Sequence, residues 1–103
     1  MSHATLPRTP ARFLDWIQTS YAPHAVIGLR SNEYGCPLAA YLAAHGAPFP
    51  CVYATTYSTG SRGPQRRLPS WAQTLVPVVD ASGPAHSAIR ASEVLALLQG
   101  ASL

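Results

Sequence analysis

The sequence predicts an α/β fold: one small domain in which a short mixed sheet carries helices packed on it. Three observations lead there. Apolar residues recur at helical spacing in several segments, runs rich in β-branched and aromatic residues alternate with them, and Pro or Gly punctuates the boundaries. The chain has 103 residues, which suits a single domain over 1–103 with one core and no staples. An α+β arrangement with a helix running through Pro77 is the alternative.

Residues 1–8, MSHATLPR, read as a loose lead. TPARFLDWIQTSY is the first helix: Thr9 is placed to cap it and Pro10 suits a first helical position. Phe13, Trp16, Ile17 and Tyr21 recur at helical spacing, and Pro23 ends the run. HAVIGL reads as a short buried strand and RSNEYG as a polar loop. In CPLAAYL, Pro37 fits the first helical position and makes Cys36 the cap. Leu38, Tyr41, Leu42 and His45 share a face, while Gly46 and Pro48 stop the helix.

PCVYATTYS is rich in β-formers and reads as one strand, with Cys51, Tyr53, Thr55 and Tyr57 on one face. TGSRGPQRR is a turn-rich basic loop. In LPSWAQTLVPVVDASG the spacing of Trp71, Leu75 and Val79 is helical, but a proline inside a helix costs about 3 kcal/mol. The expectation is therefore a helix to about Leu75 and a strand VPVVD turning at Ser82-Gly83, with AHSAIR as its partner strand. SEVLALLQG is the last helix, with Ser92 as cap and Gly100 as stop. The order is α-β-α-β-α-β-β-α, and the β-α-β unit around Cys36 should be a right-handed parallel crossover.

Charged residues are 11% of the chain, well below the average of about 25%. With four acids and seven arginines, the surface has to be built from Ser, Thr, Gln, Ala and Pro, and such surfaces carry apolar patches that mark partner sites. A protein partner or a second copy of the chain is expected. The net charge of +3 favours contact with a polyanion. No signal-peptide pattern opens the chain and no apolar run reaches about 18 residues, which points to the cytoplasm, to no membrane contact and to reduced thiols.

Cys36 is the first candidate for chemistry. A sulfur at a helix N-terminus meets unpaired N–H groups and the positive end of the dipole, and both favour the thiolate. The competing reading is a small buried residue under the helix. A Cys36–Cys51 disulfide is not expected, because a ten-residue helix rises about 15 Å and bridged Cα atoms lie within about 7 Å. The basic loop is the second candidate. Arg62, Arg66 and Arg67 follow a strand bearing Tyr53 and Tyr57. Aromatic rings for stacking beside arginines for phosphates suit single-stranded nucleic acid. The histidines and acids have no metal-ligand spacing, paired carboxylates are absent, and no phosphate-loop, dinucleotide or GxSxG pattern is present. No metal and no cofactor is expected.

Two resemblances follow from these segments. A strand, Cys-Pro at a helix start, HGAPFP leading to a strand, then LVPVVD before a turn and a final helix resemble the glutaredoxin/thioredoxin order from Ala25 to Leu98. That resemblance implies that Cys36 is the attacking thiol of a monothiol redox protein and Pro77 a cis-proline facing it. Ala39 stands where a dithiol member carries its second cysteine. CPLAAYL, LPSWAQTLVPVVDA and ASEVLALL are also similar to short uncharacterised proteins of bacterial chromosomes and mobile elements. That similarity implies a helix through Pro77 and brings no activity with it. The leading expectation is a small non-enzymatic interaction protein, with nucleic acid contacted through the Arg–Tyr surface; the alternative is the redox protein.

Overall fold

The computed structural model describes residues 5–60 and 64–101. Within them the chain forms α1 (Ala11–Ser20), β1 (Val26–Leu29), α2 (Pro37–Ala44), β2 (Cys51–Val52), β3 (Thr56–Ser58), β4 (Arg66–Arg67), α3 (Ser70–Ala81), β5 (Ala88–Arg90) and α4 (Ala91–Gly100). The domain has mixed α and β content, as the composition and periodicity predict. Its strands fall into two small antiparallel sheets, β1–β5 and β2–β3–β4.

The parallel crossover is not formed. β1 pairs antiparallel with β5, Val26 opposite Arg90 and Leu29 opposite Ala88, with a bulge between Val26 and Gly28. β2 joins the other sheet instead. The predicted strand over 50–58 folds back on itself: Cys51 pairs with Ser58 and Val52 with Tyr57, and the Tyr53 N–H donates to the Thr56 carbonyl at 2.8 Å. The turn passes through Ala54 and Thr55, neither a turn-forming residue.

The expected VPVVD strand is helix. α3 runs through Pro77, as in the alternative arrangement. Trp71, Ala72, Leu75 and Val79 are all buried on one face. Burying large apolar side chains contributes about 1.5–3 kcal/mol each, which outweighs the proline's cost of about 3 kcal/mol. Pro77 itself lies on the exposed side, where water can bond the carbonyl left without a partner one turn below.

Local chemistry sets the remaining helix ends. Cys36 caps α2, with its sulfur accepting from the Ala39 N–H at 3.5 Å, and Pro37 takes the first helical position. Gly46 follows the helix at φ 102°, a left-handed turn that glycine enters without strain. α1 begins one residue later than expected: Pro10 precedes its first residue and accepts from Leu14 N–H, so Thr9 does not cap it. Ser92 lies inside α4 and does not cap it: the Glu93 carboxylate accepts from the Arg90 N–H at 2.8 Å, and the Ala91 and Ser92 N–H groups donate to the Ala25 and Pro23 carbonyls.

Phe13 and Ile17 of α1, Leu38 and Leu42 of α2, and Val94 and Leu98 of α4 meet the buried face of α3 in one core. Phe13 lies 5.4 Å from Trp71 and 5.8 Å from Tyr41, ring centre to ring centre. The lead is tied down within its described part: Leu6 is buried and its N–H donates to the Tyr57 hydroxyl, while Trp71 Nε1 donates to the Pro7 carbonyl at 2.8 Å. Among the described residues no helix is long and apolar enough to cross a membrane.

Candidate functional site

Two concave places lie on either side of Tyr53. The first is a cleft of about 300 Å³ lined by Cys36 and Leu38, by Val52 and Tyr53, and by Leu75, Val76 and Val79 of α3. Glu33 and Asp80 stand at its polar part. Asp80 accepts a hydrogen bond from the Ser31 N–H at 2.9 Å, which ties the loop after β1 to α3.

Cys36 enters this cleft as a neutral thiol. Hydrogen bonds from the helix N-terminus favour the thiolate, but burial outweighs them and the negative Asp80 adds to it, so the thiol is pushed up to about 11. Arg30, the nearest base in sequence, is turned away toward Ser82, Ser87 and Glu93. The cis-proline arrangement is also missing: no cis peptide bond occurs among the described residues, and Pro77 is an exposed residue of α3 that does not line the cleft. The glutaredoxin-like juxtaposition of Cys36 and Pro77 is therefore not formed.

Both cysteines are free thiols. The separation expected for them counted only the rise of the helix. Residues 45–50 lead the chain back to the loop before α2, where the Val52 N–H donates to the Glu33 carbonyl at 2.7 Å.

Iodoacetamide at pH 7 should accordingly alkylate Cys36 slowly, as followed by mass spectrometry; rapid labelling below pH 7 would contradict a partly buried thiol held neutral. The same burial gives a pH dependence of stability. The folded protein holds this proton up to about 11, whereas the unfolded chain releases it near 9.0. Stability from this group is thus complete below pH 9.0 and is lost as the pH rises toward about 11. Cys36→Ser, which keeps an acceptor at the cap, should flatten that part of the thermal-melting profile.

The second place is a groove lined by Tyr34, Phe49, Tyr53, Cys51, Ser58 and Gln65, with Pro48 and Pro50 beside Phe49. Tyr34 is 69% exposed, Phe49 64% and Tyr53 44%. Among the described residues only Val26 joins them as an exposed large apolar side chain, so the exposed aromatic rings are gathered on one groove. A hydrogen bond with Cys51 raises the Tyr53 phenol above its ordinary value, and Cys51, Tyr34 and Glu33 add to it electrostatically.

The sheet sorts the sequence-predicted contact residues. Directly opposed residues in antiparallel strands share a face. Cys51, Ser58, Thr56 and Arg67 therefore lie on the groove face, and Val52, Tyr57 and Arg66 on the other. Tyr57 is only 4% exposed and its hydroxyl is engaged by Leu6, so it is a core residue and no contact residue. Arg66 and Arg67 are exposed. Arg62 lies outside the described residues. Sequence reasoning missed Tyr34 and Phe49. The available signal was an aromatic residue isolated in a polar loop, SNEYG, and another held between two prolines, PFP; neither position belongs to a periodic buried face.

Comparison with protein-family models, with curated proteins and with solved structures finds no match for this chain.

Proposed function

We propose that this protein is a small non-enzymatic interaction module that holds single-stranded nucleic acid in the groove of Tyr34, Phe49 and Tyr53. The observation that carries the reading is the gathering of these three exposed rings on one groove, with Arg67 on the same sheet face. Exposed rings offer bases a stacking surface worth about 1–3 kcal/mol per base, and arginine supplies a forked donor to phosphate. No acid lines the groove among the described residues; Glu33, beside Tyr34, is the acid whose charge reaches Tyr53. The partly buried, neutral state of Cys36 also favours a binding role over thiol chemistry.

The test is fluorescence anisotropy of a labelled oligothymidylate of about a dozen nucleotides. Phe49→Ala should weaken binding roughly tenfold, the equivalent of about 1.4 kcal/mol. Arg67→Ala should weaken it and shrink the log–log salt slope by about 0.7 for each phosphate no longer neutralised, with Arg66→Ala, on the other sheet face, changing it less. Absence of saturable binding, or binding unchanged by the aromatic and the arginine variants alike, would remove the nucleic-acid reading.

A further inference from the structure

The cleft beside Cys36 shares Tyr53 alone with the aromatic groove, and its chemistry is of the opposite kind. The whole chain holds four acidic residues against seven arginines. Two of those four, Glu33 and Asp80, line this one cleft, and no arginine does among the described residues. Neither carboxylate has an ion-pair partner there: the ion pair among the described residues is Arg30–Glu93. Asp80 uses one oxygen to accept from Ser31 N–H and has acceptor capacity left over. Beside Ser31, Asn32 and Tyr53, the walls are apolar side chains from three directions: Leu38 from α2, Val52 from β2, and Leu75, Val76 and Val79 from α3. Cys36 adds no charge at neutral pH.

We propose that this cleft is a binding site for a small organic cation, an amine with a compact apolar body. Its volume, about 300 Å³, stands at the small end of the ligand-pocket range of about 300–1,000 Å³. The apolar body replaces water against the Leu38–Val52–Val79 walls. The ammonium meets Asp80 and Glu33, which lack a cation of their own. Charge complementarity excludes anions, and enclosure by three separate elements suits a compact molecule better than an extended chain.

The experiment is an amide-resolved NMR titration of the full chain with 2-phenylethylammonium, with 3-phenylpropionate and 2-phenylethanol as the anionic and neutral counterparts. The expected result is saturable shifts at Asn32, Cys36, Val76 and Asp80 with the amine. Affinity should be at least about fivefold weaker for either counterpart, a ratio that measures the charge contribution. Asp80→Asn, which keeps an acceptor for Ser31 N–H, and Glu33→Gln, on an exposed side chain, should together reduce amine affinity by a similar factor while the spectrum stays dispersed. Equal binding of all three compounds, amine binding unchanged in the double variant, shifts confined to Tyr34, Phe49 and Gly60, or no saturable binding would each overturn the assignment. Tighter binding of a lysine-bearing hexapeptide than of the amine would overturn it too, in favour of a protein partner. The oligothymidylate measurement is independent of every one of these outcomes.

Discussion

Gly28→Ala should cost this domain about 3 kcal/mol, a large part of the roughly 5–15 kcal/mol that holds a domain folded. A Cβ built on Gly28 would stand 2.7 Å from the Gly35 carbonyl oxygen, 2.8 Å from Pro37 N and 2.9 Å from the Cys36 carbonyl carbon. All three are backbone atoms, so no rotamer change relieves the collision. The site is also the bulge of β1, and the next residue, Leu29, donates its N–H to the same Gly35 carbonyl at 2.8 Å. Accommodating a methyl group means moving the start of α2 away from β1. That displaces Cys36 and Leu38 and opens the cleft. Urea unfolding, with the midpoint read at constant m-value, measures the effect. A variant within about 0.5 kcal/mol of the parent, the range of an ordinary surface change, would show that the approach is not as close as described.

Replacing Arg30 by Met is expected to be similarly severe, at about 3 kcal/mol. Arg30 is 7% exposed. Its guanidinium donates to Ser82 Oγ at 2.8 Å, Ser87 Oγ at 3.0 Å, the Ala88 carbonyl at 2.6 Å and, at 3.4 Å, Glu93 Oε2. These partners come from the end of α3, from β5 and its approach, and from α4, so one side chain joins three elements to β1. Methionine fills the volume and strands the acceptors. The size comes from hydrogen bonds to a charged donor, about 1.5–3 kcal/mol each, offset in part because Ser82 and Ala88 are exposed and water can reach their acceptors. The Glu93 contact adds little, since that side chain is 45% exposed and such pairs contribute about 0–1 kcal/mol. The loss should therefore be nearly independent of salt. Lysine should recover only part of it, because one ammonium cannot reproduce the guanidinium's spread of donors. Denaturation at low and high ionic strength separates these expectations: full recovery by lysine would contradict the forked arrangement.

The parts of this fold that local chemistry decides were legible in the sequence. The capped start of α2 at Cys36-Pro37, its glycine stop at Gly46 and the buried face of α1 follow from nearest neighbours and helical spacing. Strand partners do not. β1 and β5 are separated by most of the chain, and the sequence of neither contains a mark of the other; antiparallel pairing across that separation replaced the expected crossover. The β2–β3 hairpin was hidden because Ala54-Thr55 carries no turn residue. Pro77 misled for a different reason: its local penalty is real, but four buried residues of α3 share the opposite face, and tertiary burial won. At the candidate sites, Tyr53, Arg66 and Arg67, named because a basic loop follows a tyrosine-bearing strand, are exposed, whereas Tyr57 was claimed by the core. Tyr34, Phe49 and Asp80 were missed, since only the folded chain brings two loops and the far turn of α3 beside them.

The β1–β5 pairing also dictates when this chain can acquire its shape. Ala91 and Ser92 donate their N–H groups to Ala25 and Pro23, and Ile89, Val94 and Leu98 complete the interior begun by Phe13 and Ile17. A polypeptide still emerging from the ribosome lacks those closing residues, and β1 has no other edge to join. Early segments must wait, with their apolar faces uncovered, until β5 and α4 have been synthesised. Folding of this domain is then a largely all-at-once event governed by closure of a long loop, and the nascent chain is at its most vulnerable to chaperone capture or misassociation just before α4 emerges.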